Sequence, residues 1–148
     1  MLFTTTQHAF MLTENILDPD GTIVASKRFP DEDPGTPDSF AGEYYFYNYD
    51  IRGSVTSIIA PHDIELPGDV TLQGGGPVAG YEYDEYGNLE DNATQGFLNE
   101  TTYTGSVTDK STGLQYMSAR YYDAENGRFL TQDTYTGNPY DPWTQHLY

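Results

Sequence analysis

From residue 44 onward the chain settles into short runs in which apolar and polar side chains alternate: "EYYFYNY", "SVTSII", "VAGYEY", "TTYTGSV", "LQYMSARYY" and "RFLTQD". Each run is rich in β-branched and aromatic residues, each is broken off by Asp, Gly or Pro, and none places apolar residues at helical spacing. The period-two pattern predicts an all-β fold with little helix.

Residues 2 to 29 hold two further apolar runs, "LFTTTQHAFML" and "TIVASKRF", joined by the turn-forming "DPDG". They are expected to form one hairpin. The stretch "PDEDPGTPDSFAG" that follows carries three prolines and four acids. It cannot donate a regular ladder, so it reads as an exposed loop marking a soft boundary between residues 1–43 and 44–148, the two parts packing as one unit. "PHDIELPGDVTLQGGGP", with three prolines and four glycines, is expected to be a long turn or surface excursion.

A repeat emerges once Asp is taken as the anchor. "YNYDIRGSV" at 47 to 55 and "YEYDEYGNL" at 81 to 89 share Tyr-x-Tyr-Asp-x-x-Gly-x-aliphatic; "YYDAENGRF" at 121 to 129 has one residue inserted. "DKSTGL" at 109 to 114 and "DPDGTI" at 18 to 23 are weaker echoes. Each unit is a strand, then a turn opened by an Asp that caps backbone amides and closed by Gly. The expected turn pairs are Asp50 with Gly53, Asp84 with Gly87, Asp109 with Gly113 and Asp123 with Gly127. Tyr47, Tyr49, Tyr81, Tyr83, Tyr121, Tyr122 and Phe129 supply an aromatic wall. Units of this kind cannot bury a face alone and must stack on neighbours.

Charge narrows the choice of partners. Six Lys and Arg stand against 23 Asp and Glu, a formal charge of -17 over 148 residues, and residues 53 to 109 hold ten carboxylates with no Lys or Arg. Such a field repels phosphate backbones and anionic membranes, so nucleic acid is not an expected partner of this chain. Absence of cysteine removes disulfides, thiolate nucleophiles and thiolate metal sites. The opening "MLFTTTQHAFML" has the pattern of neither a signal peptide nor a membrane span, and no membrane insertion is expected. All 14 tyrosines lie after residue 43, which sets the two parts of the chain apart in origin or role.

The repeats resemble YD repeats, and "TGLQYMSARYYDAENGRFLTQD" closely resembles the signature of the RHS repeat-associated core domain of bacterial RHS and wall-associated toxins, related to insecticidal toxin complex shells and teneurins. The resemblance covers roughly residues 44 to 148. It implies β-hairpins coiled as part of a β-spiral shell, a hollow cocoon around a toxic polypeptide, with this segment at the closing end. In that family the core also cuts the toxin free, using an arginine and an aspartate that fall on Arg120 and Asp133, plus a second aspartate in a downstream Asp-Pro-x-Gly segment. The chain stops before that segment, and Asp141-Pro142 is followed by Trp. An aspartyl mechanism needs two carboxyls sharing a proton, so Arg120 and Asp133 are expected to be a remnant in a non-catalytic protein.

Other chemistry is weaker. Asp20 with Gly21, or Asp31, Glu32 and Asp33, lack the alternating ligand spacing and closing Glu of an EF-hand loop, and neither a metal nor a cofactor is expected. Tyrosines beside carboxylates suit a sugar-binding face or a glycosidase cleft, but tyrosine ladders also stabilise sheets; carbohydrate is a possible partner without direct support. His8, His62 and His146 have no Ser or Cys in a nucleophile-elbow motif. The sequons at Asn92 and Asn99 matter only in a glycosylating host.

A stacked array cut at both ends leaves unpaired strand edges. The expectation that follows is a structural protein, extracellular or on a bacterial surface, that pairs edge to edge with copies of itself or with other RHS/YD repeats into an oligomer, tube or filament. Its competitors are a fragment of a toxin-delivering shell, a residual aspartyl autoprotease, and a carbohydrate-binding module.

Overall fold

The structure is a computed structural model that describes residues 2–8, 11–29, 40–66, 68–91, 97–134, 137–138 and 140–141. The acidic trio Asp31, Glu32 and Asp33, most of the Pro-rich loop, Asn92, Trp143 and His146 lie outside the described residues.

Among the described residues thirteen antiparallel strands carry the fold, which is all-β. In chain order they are β1 (Leu2–His8), β2 (Met11–Leu17), β3 (Ile23–Phe29), β4 (Tyr44–Tyr49), β5 (Val55–Ile59), β6 (Ile64–Leu66), β7 (Val70–Leu72), β8 (Pro77–Tyr83), β9 (Leu89–Asp91), β10 (Val107–Thr108), β11 (Gln115–Met117), β12 (Arg120–Asp123) and β13 (Arg128–Phe129). One seven-stranded sheet runs β1-β2-β3-β4-β5-β8-β9, a four-stranded sheet runs β10-β11-β12-β13, and β6 with β7 form a small hairpin inserted between β5 and β8. Nearly every strand pairs with its sequence neighbour. That is the meander expected of stacked hairpin units.

Four sequence expectations need correction. The run at 2–12 is two strands, paired from Leu2↔Leu17 to His8↔Met11, so the first 29 residues make three strands rather than one hairpin; no Gly or Pro marks the reversal. "LQYMSARYY" is a hairpin, β11 and β12, reversed at Ser118 with a φ of 59°. "TTYTGSV" is a 3-10 turn over Tyr103–Gly105 that a single Thr101↔Val107 bridge closes. The supposed excursion at 61–77 contains the β6–β7 hairpin, in register from Ile64↔Leu72 to Leu66↔Val70.

The core lies on one face of β4, β5 and β8. Tyr45, Val55, Ile58, Ala60, Val78, Ala79 and Tyr81 are buried there with Ile64, and Phe40 and Phe97 close over them. Phe40, Tyr45 and Phe97 meet edge to face at centroid distances of 5.1 to 6.3 Å, a favoured arrangement for ring quadrupoles. The Tyr45 hydroxyl donates to the Phe40 carbonyl at 3.0 Å, satisfying a polar group that burial would otherwise penalise. Tyr83 does the same with the Val55 carbonyl at 2.7 Å.

The two larger sheets are joined at their turns. Gly87 has a φ of +89°, and a Cβ there would stand 2.7 Å from the Tyr103 ring; at Gly127, φ +63°, a Cβ would stand 2.8 Å from the Tyr86 ring. Each glycine thus permits the left-handed turn and also gives a ring from the next unit a flat seat. Replacing Gly87 by Ala adds backbone strain to displacement of the Tyr103 ring, and is expected to cost about 3 kcal/mol. Gly113→Ala, where a Cβ meets nothing within 4 Å, is expected to cost about 1 kcal/mol from strain alone. Urea unfolding of both variants checks this; equal losses would mean that the rings do not depend on the glycine seats.

Candidate functional site

The repeat turns form the best-defined local structure in the chain. At Asp50 the amides of Arg52 and Ser54 both donate to Oδ1 at 2.8 Å, and the Gly53 amide donates to the Asp50 carbonyl at 3.1 Å. At Asp84 the amides of Tyr86 and Asn88 donate to Oδ1 at 2.8 and 2.9 Å, with Gly87 on the Asp84 carbonyl at 3.1 Å. Asp18 repeats the pattern with Asp20, Thr22 and Gly21. Its weak sequence echo therefore has the geometry of the two strong ones, because Asp-x-x-Gly-x builds the turn without the preceding tyrosines.

The other two turns are variants. Asp109 accepts from the amide and hydroxyl of Ser111 and from the Thr112 hydroxyl, with Gly113 on its carbonyl at 2.7 Å. Asp123 accepts from the amide and side chain of Asn126, the inserted residue making the turn one position longer.

These turns lie side by side. The Thr104 amide donates to Ser54 Oγ at 3.1 Å and the Val55 amide to the Thr102 carbonyl at 3.1 Å, which ties the Asp50 turn to the 3-10 turn. Tyr103 then covers Gly87, and Tyr86 covers Gly127. Asn88 Nδ2 donates to the Ala124 carbonyl at 3.1 Å, Tyr122 Oη to the Tyr86 carbonyl at 2.9 Å, and Gln115 Nε2 to the Gly87 carbonyl at 2.8 Å. Gln115 and Tyr103, which sequence reasoning did not single out, are therefore central. An inward-facing Gln in an alternating strand was the available signal.

The aromatic residues divide between the two sheets. Tyr81 is buried, Tyr47 stacks on Tyr49 with centroids 6.3 Å apart, and Tyr83 meets Tyr103 at 5.5 Å. Tyr122 packs edge-on to Phe129, while Tyr121 pairs with Tyr116 on an exposed face. Burial raises the phenol pKa of Tyr47 and Tyr49, which keeps both as neutral donors. Tyr47 donates to Asn99 Oδ1 at 3.1 Å and Tyr49 to the Ile23 carbonyl at 2.5 Å. Asn99 is buried and bonded on both sides, so its sequon occupies a structural position.

Arg120 and Asp133 do come together. Nη2 lies 3.0 Å from Oδ2, and the guanidinium sits 3.8 Å from the Phe129 ring centroid. A partly exposed pair of this kind adds about 1 kcal/mol or less, and the ring contact a similar amount. Among the described residues no group of three or more His, Asp or Glu side chains is placed to hold a metal.

The turn carboxylates respond to acid in a defined direction. The side chains of Asn88, Ser111 and Asn126, followed by backbone amides, hold Asp84, Asp109 and Asp123 below the usual aspartate range. A folded pKa below the unfolded value near 3.9 contributes stability that is complete above that value and lost as pH falls through the folded one. Melting temperature is therefore expected to drop between about pH 5 and pH 3, and to drop less in Asp84→Ala than in the parent. Relief of the overall negative charge acts on both proteins alike, so an equal drop would remove Asp84 from the acid response.

The chain matches no family model. It is 32% identical over 133 residues to the tRNA nuclease WapA of Bacillus subtilis strain 168, covering 88% of this chain and 5% of the nuclease. It is 36% identical over 106 residues to the tRNA(Glu)-specific nuclease WapA of Bacillus subtilis subsp. natto, covering 70% of this chain and 4% of that protein. The crystal structure of TcdB2-TccC3 superposes with a TM-score of 0.53 at 19% identity, over 91% of this chain and 5% of the larger one. The fold is thus RHS-like, and the chain spans about one twentieth of each of these three proteins. Two expectations are corrected: a self-assembling structural filament, and a protein that is not an enzyme, both conflict with relatives named as tRNA-specific nucleases.

Proposed function

We propose that this chain is a wall segment, of the RHS core type, in a bacterial toxin shell that encloses and delivers a tRNA-cleaving polypeptide outside the producing cell. The observation that carries the reading is the nature of the match: most of this chain aligns with a small fraction of large proteins named as tRNA nucleases. A stacked repeat behaves this way, since each unit contacts only its neighbours and a short stretch keeps its fold within a long array.

The ends of the sheets support the same reading. β1 and β9 are the outer strands of the seven-stranded sheet and β13 is an outer strand of the four-stranded one, whereas β10 already meets residues 100 and 101 through the Thr101↔Val107 bridge. Edge strands present backbone donors and acceptors to further strands, so other repeats of the same polypeptide are the fitting partners. The charge of -17 suits a segment that surrounds the toxic part and does not itself grip tRNA. The Arg120–Asp133 pair ties the start of β12 to the segment that follows β13.

The test is to isolate the protein from its own cells with an antibody against this chain, image it by electron microscopy, and incubate it with total tRNA. A hollow shell with tRNA cleavage in the same fraction is expected. A solid particle without such cleavage would overturn the reading.

A further inference from the structure

The turn between β12 and β13 differs from its neighbours in chemistry as well as in length. The Asp50 and Asp84 carboxylates hold the amides two and four residues on, but Asp123 holds one residue twice. Its Oδ1 accepts from the Asn126 backbone amide at 3.2 Å and its Oδ2 from the Asn126 side chain at 2.7 Å. Asn126 is followed by Gly127, and no other asparagine of the chain precedes a glycine. Both residues are exposed. Gly127 has a φ of +63° and lies against the Tyr86 ring, so the turn that carries this dipeptide is also one of the two seats that join the sheets.

We propose that Asn126 is a deamidation site, and that its conversion to aspartate or isoaspartate unlocks this turn and loosens the four-stranded sheet from the seven-stranded one. Glycine carries no Cβ to crowd its backbone nitrogen, so the Gly127 nitrogen is free to attack the Asn126 side-chain carbon Cγ. The new N–Cγ bond forms, the Cγ–Nδ2 bond breaks, and the proton shed by the Gly127 amide leaves with Nδ2 as ammonia. Water then opens the resulting succinimide ring. Cleavage of the new bond leaves aspartate, and cleavage of the original peptide bond leaves isoaspartate. One water is consumed and one ammonia released, with no change of oxidation state.

The surroundings turn a local reaction into a structural change. Nδ2 is both the leaving group and the donor that Asp123 Oδ2 grips, so the reaction ends that hydrogen bond. A carboxylate then stands where the donor stood, and Asp123 faces a like charge in place of the group that does most to hold its pKa down. Isoaspartate also adds one carbon to the backbone of a turn whose glycine must stay against the Tyr86 ring. The Asp84 turn is tied to the same place, since Asn88 Nδ2 donates to the Ala124 carbonyl inside the altered loop and Tyr122 Oη to the Tyr86 carbonyl. Release of ammonia makes the step irreversible, so the loosening accumulates with the age of the protein.

The test is to age the folded chain in mildly alkaline buffer and to follow the peptides carrying Asn126, Asn48 and Asn88 by mass spectrometry. Asn126 is expected to deamidate severalfold faster than Asn48 or Asn88, which precede Tyr49 and Leu89. The aged form, separated by ion exchange on its added negative charge, and an Asn126→Asp variant are each expected to melt about 3 °C below the parent, the scale of one lost hydrogen bond in a chain of this size. In hydrogen exchange the amides of β12 and β13 are expected to speed up more than those of β5. The two preparations are used together so that poor folding of the variant, seen by circular dichroism, leaves the aged protein to decide. Deamidation at Asn126 no faster than at Asn48 and Asn88, or an aged form that melts and exchanges as the parent does, would overturn the proposal.

Discussion

Everything in this fold leans on the contact between a turn glycine and the tyrosine of the neighbouring unit. A hairpin that buries one face must find a second layer, and a two-stranded piece is marginal alone. Here the second layer is reached at the turn tips. Tyr103 sits on Gly87, Tyr86 sits on Gly127, and the hydrogen bonds of Ser54, Asn88, Tyr122 and Gln115 run alongside. The aspartates make this possible by holding each turn in one conformation, with Asp18, Asp50 and Asp84 using the same pair of amides two and four residues on. Local order in the turn permits the long-range contact.

That arrangement explains why a repeat wall can be both thin and firm. Among the described residues no α-helix backs the sheets, and the hydrophobic core is confined to one face of three strands and the rings of Phe40 and Phe97. Tyrosine serves the architecture better than phenylalanine because its hydroxyl reaches a carbonyl at the edge of the next layer, as Tyr45, Tyr49, Tyr83 and Tyr122 do. The same logic makes a sheet that can be extended at β1, β9 or β13, which suits a segment of a long shell. On the proposed reading, tRNA chemistry belongs to a protein in which this stretch supplies enclosure.

Much of the fold was legible in the sequence because alternation and Asp-x-x-Gly spacing are local signals. β4, β5 and β8 lie within a residue or two of the runs that predicted them. The errors fall where a reversal has no Gly or Pro to mark it: between β1 and β2, and at Ser118, which takes a positive φ despite its side chain. "TTYTGSV" read as a strand from its β-branched residues, but Gly105 and Thr104 curl it into a 3-10 turn whose purpose is to present Tyr103. The partners of Gly87 and Gly127 depend on contacts distant along the chain and had no local signature. Function is less legible for a related reason: an unpaired edge does not say which strand joins it, and the tRNA nucleases that the chain resembles leave no pattern in its repeats that would have pointed to them.

Native-state hydrogen exchange tests the dependence on stacked turns most directly. If the glycine seats and their hydrogen bonds bind the sheets into one cooperative unit, the protected amides of β5, such as Ile58, and of β12, such as Tyr122, will exchange only through the same global opening, with matching free energies and matching response to denaturant. If β12 opened at much lower free energy while β5 stayed protected, the turns would be mere connections between independently stable sheets, contradicting the account.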